Sequence, residues 1–467
     1  MIGPELLHAD IAELSGGIRA RRISPVELAE AFLQRIRRFA PELNAFETVA
    51  ADEALLQARL AEGDLRAGHW RGALHGIPWA AKDLLATAGL RTTWGAAPLQ
   101  EQAFDHDATV VTRLREAGAV LLGKTAMIEL AGGLGYRFAD ASLSGPARNP
   151  WNREHWTGGS SSGSGAAVAA GLATFALGTE TWGSILCPSA FCGITGLRPT
   201  YGRVSRAGAM ACAWTFDKVG PMARSAADCR AVLQAIAGAD PDDPSSSAEP
   251  VELRSRRVEP ARLRVALFPF DAAAKGAETE AHAAYEAALA ELRAAGFVLE
   301  TVTLPDLPAA EVASVLIMIE AVSSFERLFA NGDVRRLRDA CAPFQREIAA
   351  DVSGTDVVRA GRIRRRLQER MADFFAAHDV LVAPNFLSTA PRLDADLNQA
   401  LPYGDPVGAI GNACGLPALA LPCGFGRGHL PVGFQLVGPP WSEGLLLDLG
   451  ELYQRRTRWH DERPPLD

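Results

Sequence analysis

The 467-residue sequence predicts an α/β fold. Three observations carry that expectation. Amphipathic helical patterns alternate with short, wholly apolar runs as far as about residue 237. Strand-like runs recur in the second half, around 263–268, 297–302, 380–383, 418–421 and 432–437. The composition, 48% apolar and 22% charged, is that of a globular chain with a large core.

The elements follow in order. Residues 5–40 read as helical. Ser24-Pro25-Val26-Glu27 forms a capping box with proline at N1. Leu28, Phe32, Ile36 and Phe39 then share one face, and Pro41 is expected to end the helix. A further helix is expected over 48–65. The segment 73–85 is apolar without helical period, a short buried strand or turn carrying one lysine, Lys82. A helix suits 108–117, a strand 119–123, and a short helix 166–176. Residues 238–261 turn Asp/Pro/Ser-rich and then Arg-rich, which predicts an exposed loop or seam. Helices are expected at about 278–295, through most of 309–378, and at 443–455. Residues 385–404 read as a long irregular loop of the kind that often covers a site. No internal repeat is present.

Bulk properties exclude several functions. A net charge of −8 offers no basic field for nucleic acid. The seven cysteines are scattered without a C-x-x-C pair, which supports neither a zinc site nor a redox motif. Cys187 and Cys192 read as small buried apolar side chains. The nine histidines form no H-E-x-x-H or comparable cluster, so no metal and no cofactor are expected. The first residues lack a basic and then apolar leader, and no run of about 20 apolar residues exists to span a bilayer. A soluble cytoplasmic protein without a membrane partner is the expectation.

The chemistry concentrates in 157–198, where two Gly/Ser-dense turns flank an Ala-rich segment. Gly159-Ser160-Ser161-Ser162-Gly163 satisfies G-x-S-x-G, but the polar, turn-like residues before it do not suit the strand of an α/β-hydrolase elbow. A phosphate-binding loop lacks its Lys-Ser/Thr. Three distant pieces combine better: Lys82 in its apolar setting, the G-G-S-S-S-G-S turn, and G-T-E-T-W-G-S-I. With L-H-G-I-P-W-A-A-K-D at 74–83, G-K-T-A-M-I-E-L at 123–130, R-N-P-W-N at 148–152, G-L-R-P-T-Y-G-R-V-S at 196–205, D-K-V-G-P-M-A-R at 217–224, and G-L-P-A-L-A-L-P and G-F-Q-L-V-G near the C-terminus, the chain resembles the amidase signature family over nearly its whole length.

That resemblance implies a single-domain α/β/α sandwich with a mixed central β-sheet. It spans 1–467, with N-terminal helices at about 5–65, a catalytic core at about 70–237 and 379–456, the seam at 238–261 and a helical insertion at about 305–378. It implies Ser184 as nucleophile, Ser160 as bridging serine after a cis peptide bond, and Lys82 as base. The two serines are 24 positions apart. Backbone N–H groups of Thr181, Trp182, Gly183 and Ser184 are the implied oxyanion hole. The physics is consistent. A serine hydroxyl needs a base, and a desolvated lysine can supply one by losing its proton.

The turn departs from the family's common G-T-D-x-G-G-S-I-R. Glu180 stands for Asp, Trp182 for Gly and Leu186 for Arg. Without that guanidinium, a carboxylate-bearing amide loses its bidentate partner. Trp79, Trp94 and Trp214 are expected in the core. Trp156, Trp182, Leu186 and Cys187 are the expected lining of an apolar pocket. The activity this implies is hydrolysis of a small apolar or aromatic amide, with esters or carbamates alongside. A homodimer is a possible assembly. The alternatives are a glutaminase A-type subunit of a tRNA-dependent amidotransferase, and a silent binding protein on the same scaffold.

Overall fold

The computed structural model describes residues 2–402 and 404–466; Met1, Tyr403 and Asp467 lie outside the described residues, Tyr403 within the expected 385–404 loop. Among the described residues thirteen strands are formed: β1 (Phe46–Val49), β2 (Pro78–Lys82), β3 (Val120–Thr125), β4 (Arg148–Asn149), β5 (Asn152–Trp156), β6 (Phe175–Glu180), β7 (Thr195–Arg198), β8 (Lys218–Ala223), β9 (Val265–Leu267), β10 (Leu299–Thr301), β11 (Val380–Pro384), β12 (Ala418–Phe425) and β13 (Pro431–Val437). Eleven build one sheet in the order β1-β3-β2-β6-β8-β7-β12-β13-β11-β9-β10, and β4 and β5 pair separately. The sheet is mixed, as the fold class requires. β2 lies parallel to both β3 and β6, and β11, β9 and β10 are parallel at the far end. The centre is antiparallel.

Burial on both faces explains why the strands read as continuous apolar runs rather than alternating ones: β2, β3, β6 and β8 are buried at every position. The period of two still separates the faces. On β12, Leu419, Leu421 and Cys423 join the main core with helices Ala226–Ile236, Thr279–Ala294 and Glu443–Thr457. Ala418 and Ala420 join a second cluster with Leu367, Met371 and Phe375 of helix Gly354–Ala377. The sheet is thus sandwiched between helical layers. No helix among the described residues is long and apolar enough to cross a membrane.

Four expectations shift. Helix Pro25–Leu43 runs through Pro41, because a proline in the last turn removes only one backbone bond; the stop is Asn44 in the left-handed region (φ 51°). The helix expected over 48–65 starts at Ala51, since Phe46–Val49 pairs with β3 as an edge strand. The helix expected over 166–176 is two elements. Helix Ser162–Ala169 begins inside the serine turn, Gly171 (φ 65°) breaks it, and Phe175 onward is β6. The 238–261 segment is not simply exposed. Asp240 accepts hydrogen bonds from Thr109 and Ser205, Asp243 accepts from the N–H of Arg206, and Leu253 packs into the core.

At Gly163, helix Ser162–Ala169 sits against backbone. A Cβ on Gly163 would stand 2.3 Å from the Ala45 carbonyl oxygen and 2.5 Å from the Ala126 nitrogen. Backbone cannot swing aside as a side chain can. Gly163→Ala should therefore cost about 1–3 kcal/mol, read as a lower urea midpoint. An unchanged midpoint would show that this helix has room to move.

Candidate active site

β2 and β6 are parallel neighbours, with Ala81 opposite Leu177, so their carboxyl ends lie side by side. Loops leaving such ends form the usual ligand crevice of an α/β sheet. Lys82 is the last residue of β2, and Thr179 and Glu180 end β6. The two serine turns close over this edge.

Lys82 is wholly buried. Its Nζ lies 2.7 Å from Ser160 Oγ, 2.9 Å from Thr179 Oγ1 and 3.4 Å from the Thr179 carbonyl oxygen. Burial pushes its ammonium down to about 7, against the opposing pull of Cys212, Asp217 and Glu180. The Gly159–Ser160 peptide is cis, and the Ser160 carbonyl accepts from Ile128 N–H. The turns are tied together. Ser161 N–H donates to the Ser184 carbonyl at 3.3 Å, and Ser161 Oγ donates to the Thr179 carbonyl at 3.2 Å. Ser184 itself is 6% exposed. Thus the structure gathers Lys82 and Ser160 into direct contact and sets Ser184 on the adjoining turn.

The 181–185 turn is held from behind by Glu180. One carboxylate oxygen accepts from the N–H groups of Ile185 (2.9 Å) and Leu186 (3.0 Å). The other meets Arg198 at 2.8 Å and Asn412 at 3.1 Å. Burial alone would raise this carboxyl, but the charges of Arg198 and Lys218 outweigh it and hold the group at about 2. On the other side Thr181 donates to Asp217 at 2.5 Å. No hydrogen bond from the N–H of Trp182, Gly183 or Ser184 is made within the described residues. The left-handed angle of the turn falls at Gly183 (φ 86°), so Trp182 adopts no glycine-like angle.

A cavity of about 610 Å³ ends against Gly159 and Gly183, the residues preceding the two serines. Its aromatic wall is Tyr136, Trp156, Trp182 and Phe386; Ile317 and Met318 come from helix Ala309–Ser324, and Leu397 and Leu401 from the 385–404 segment. Cys187 lines it too, its thiol pushed up to about 12 by burial. Asp405 is the only formally charged residue of the lining among the described residues. Leu186, expected here, instead points the other way. It is fully buried in the cluster with Ile410, Leu416 and Ala418. Of the tryptophans expected in the core, Trp79 stacks on Phe175, but Trp214 is 52% exposed and lies under the Arg206 guanidinium.

Sequence reasoning missed Thr179, the Arg198–Asn412 support of Glu180, and the cavity residues Tyr136, Phe386, Ile317 and Met318. The irregular 385–404 segment was the one signal for part of this wall. The aromatic and helical contributors lie in ordinary apolar patterns that do not distinguish a pocket from a core.

The Amidase family profile matches residues 27–447. The A-type chain of the glutamyl-tRNA(Gln) amidotransferase of Acinetobacter baumannii is 38% identical, over 98% of each chain. The solved peptide amidase of Stenotrophomonas maltophilia is 34% identical with a TM-score of 0.84, covering 98% of each chain. A solved 6-aminohexanoate cyclic dimer hydrolase is 28% identical with a TM-score of 0.86, covering 98% of this chain and 99% of that one.

Removing Glu180 leaves Arg198 buried without its partner. Glu180→Ala should destabilise the protein by about 3–5 kcal/mol in chemical denaturation, as well as loosening the turn it supports. A loss below about 1 kcal/mol would mean that Asn412 and solvent replace the carboxylate.

Proposed function

Since the chain belongs to the amidase signature family and is a serine amidase hydrolysing C–N bonds, we propose that Ser184, Ser160 and Lys82 carry that hydrolysis through an acyl-Ser184 intermediate, on apolar or aromatic amides. The observation that carries the reading is the contact of a fully buried, carboxylate-free Lys82 amine with Ser160 Oγ at 2.7 Å.

In this mechanism the neutral Lys82 amine takes the Ser160 proton as Ser160 takes that of Ser184. The Ser184 oxygen adds to the amide carbon. The tetrahedral oxyanion forms beside the N–H groups of the 181–184 turn, which stabilise charge that develops only then. The proton returns along the same path to the amide nitrogen, the C–N bond breaks, and the amine or ammonia leaves. Water then enters, gives its proton to the relay, and adds to the acyl carbon. Collapse of that adduct expels Ser184, which regains a proton, and releases the acid.

The cavity supports the substrate class. Its aromatic and aliphatic walls suit an apolar acyl or amine group, and no lysine, arginine or histidine is among its described lining residues. Trp156, Trp182 and Cys187 remain our assignments for that contact; Leu186 acts through the core. The second reading, a glutaminase A-type subunit, is favoured by the 38% identity to the Acinetobacter protein. Glutamine, however, carries an α-carboxylate for which that lining offers no cation.

Ser184→Ala should abolish turnover and labelling by a serine-directed sulfonyl fluoride while leaving circular dichroism unchanged. Lys82→Ala should lose about 10²–10⁴-fold in kcat/KM. Near-full activity in the lysine variant would remove it from the mechanism. Only neutral Lys82 accepts a proton, so kcat/KM should rise with pH through a midpoint near 7. A flat profile from about pH 5 to 9 would contradict the assigned base. In a panel of acyl anilides, primary amides, carbamates and glutamine, the aryl and apolar amides should lead. Preference for glutamine would support the second reading instead.

A further inference from the structure

We infer that Thr179 is the residue that aims Lys82, its hydroxyl and carbonyl oxygens taking both N–H bonds of the amine so that the lone pair faces Ser160. The inference rests on the proposed role of Lys82 as base.

A neutral primary amine has four tetrahedral directions: one carbon, two hydrogens and one lone pair. Lys82 Nζ has three neighbours that match the last three, Thr179 Oγ1 at 2.9 Å, the Thr179 carbonyl at 3.4 Å and Ser160 Oγ at 2.7 Å. The carbonyl can only accept. If the threonine hydroxyl accepts as well, both hydrogens are used, and Ser160 must donate to the lone pair. If the hydroxyl instead donated to Nζ, it would occupy the lone pair, and Ser160 would have no base. The hydroxyl hydrogen has another outlet, because Thr179 borders a void of about 20 Å³, room for about one water, whose mostly apolar lining also includes Thr181, Asp217 and Lys218. When Lys82 gains a proton, both Thr179 contacts persist. Only the bond to Ser160 reverses.

Thr179 is itself held. It pairs with Val219 across β6 and β8. Its N–H donates to Ser161 Oγ at 3.3 Å while Ser161 Oγ donates back to its carbonyl at 3.2 Å. Its β-branched side chain has little rotamer freedom. One strand residue therefore joins the lysine to the turn that carries Ser160 and Ser161. Thr179 is a positioning residue, acting on the reaction through Lys82.

The test compares kcat/KM against pH for wild type, Thr179→Val and Thr179→Ser on an aryl amide. Valine keeps the shape and removes the acceptor. Its kcat/KM should fall about 10–100-fold. Its acid limb should move to lower pH by about one unit, because the charged amine loses an acceptor that stabilised it. The titratable groups acting on Lys82, namely Cys212, Asp217 and Glu180, are the same in all three proteins. Serine should restore the limb and most of the rate. Should the valine variant not fold, Thr179→Ala is read in the same way. An unmoved limb in the valine variant, or a serine variant no better than valine, overturns the inference and leaves the proposed function standing. A wild type that is neither labelled at Ser184 nor active on any amide overturns both.

Discussion

The site depends on burying one amine without giving it a carboxylate. Lys82 is fully enclosed, and its contacts are two hydroxyls and a carbonyl. Desolvation therefore acts on the ammonium with little local compensation, and the group titrates near neutrality. Among the other buried lysines Lys124 makes the contrast: it lies 3.8 Å from Asp83 and donates to Leu85 O and Thr92 Oγ1. Asp83, next to Lys82 in sequence, faces Thr93 and Lys124 instead. The strand ends at Lys82, and the turn that follows carries the Asp83 carboxylate away from the amine.

The second constraint is the turn after β6. In the proposed mechanism its donors point at a reacting oxygen, so they are not satisfied internally, and something else must hold the backbone. Glu180 does this from the buried side, anchored in turn by Arg198 on β7 and Asn412 near β12. Glu180 thus couples the turn to the antiparallel centre of the sheet. Trp182, freed from the left-handed angle by Gly183, turns its ring to the cavity.

Much of this is legible in the residues. Lys82 announces itself as a charge in an unbroken apolar run, and the serine turns by their glycines. It is the combination of the lysine with the two serine turns that separates them from an ordinary core. The strand positions near the site are also readable, because strands buried on both faces appear as apolar runs. The Ala-rich stretch misleads because alanine packs equally well in a helix and a buried strand. Only the left-handed break at Gly171 separates Ser162–Ala169 from β6.

By itself the sequence determined the fold class, the residue types of the proposed relay and the presence of leucine rather than arginine at position 186. These depend on composition and short-range order. Tertiary structure alone decided which way Asp83 and Leu186 face, that Thr179 meets the lysine, and that Tyr136, Phe386 and helix Ala309–Ser324 build the cavity wall. The physical reason is that these contacts join segments far apart in the chain, through sheet order and helix packing. No local pattern encodes which distant face a side chain will meet.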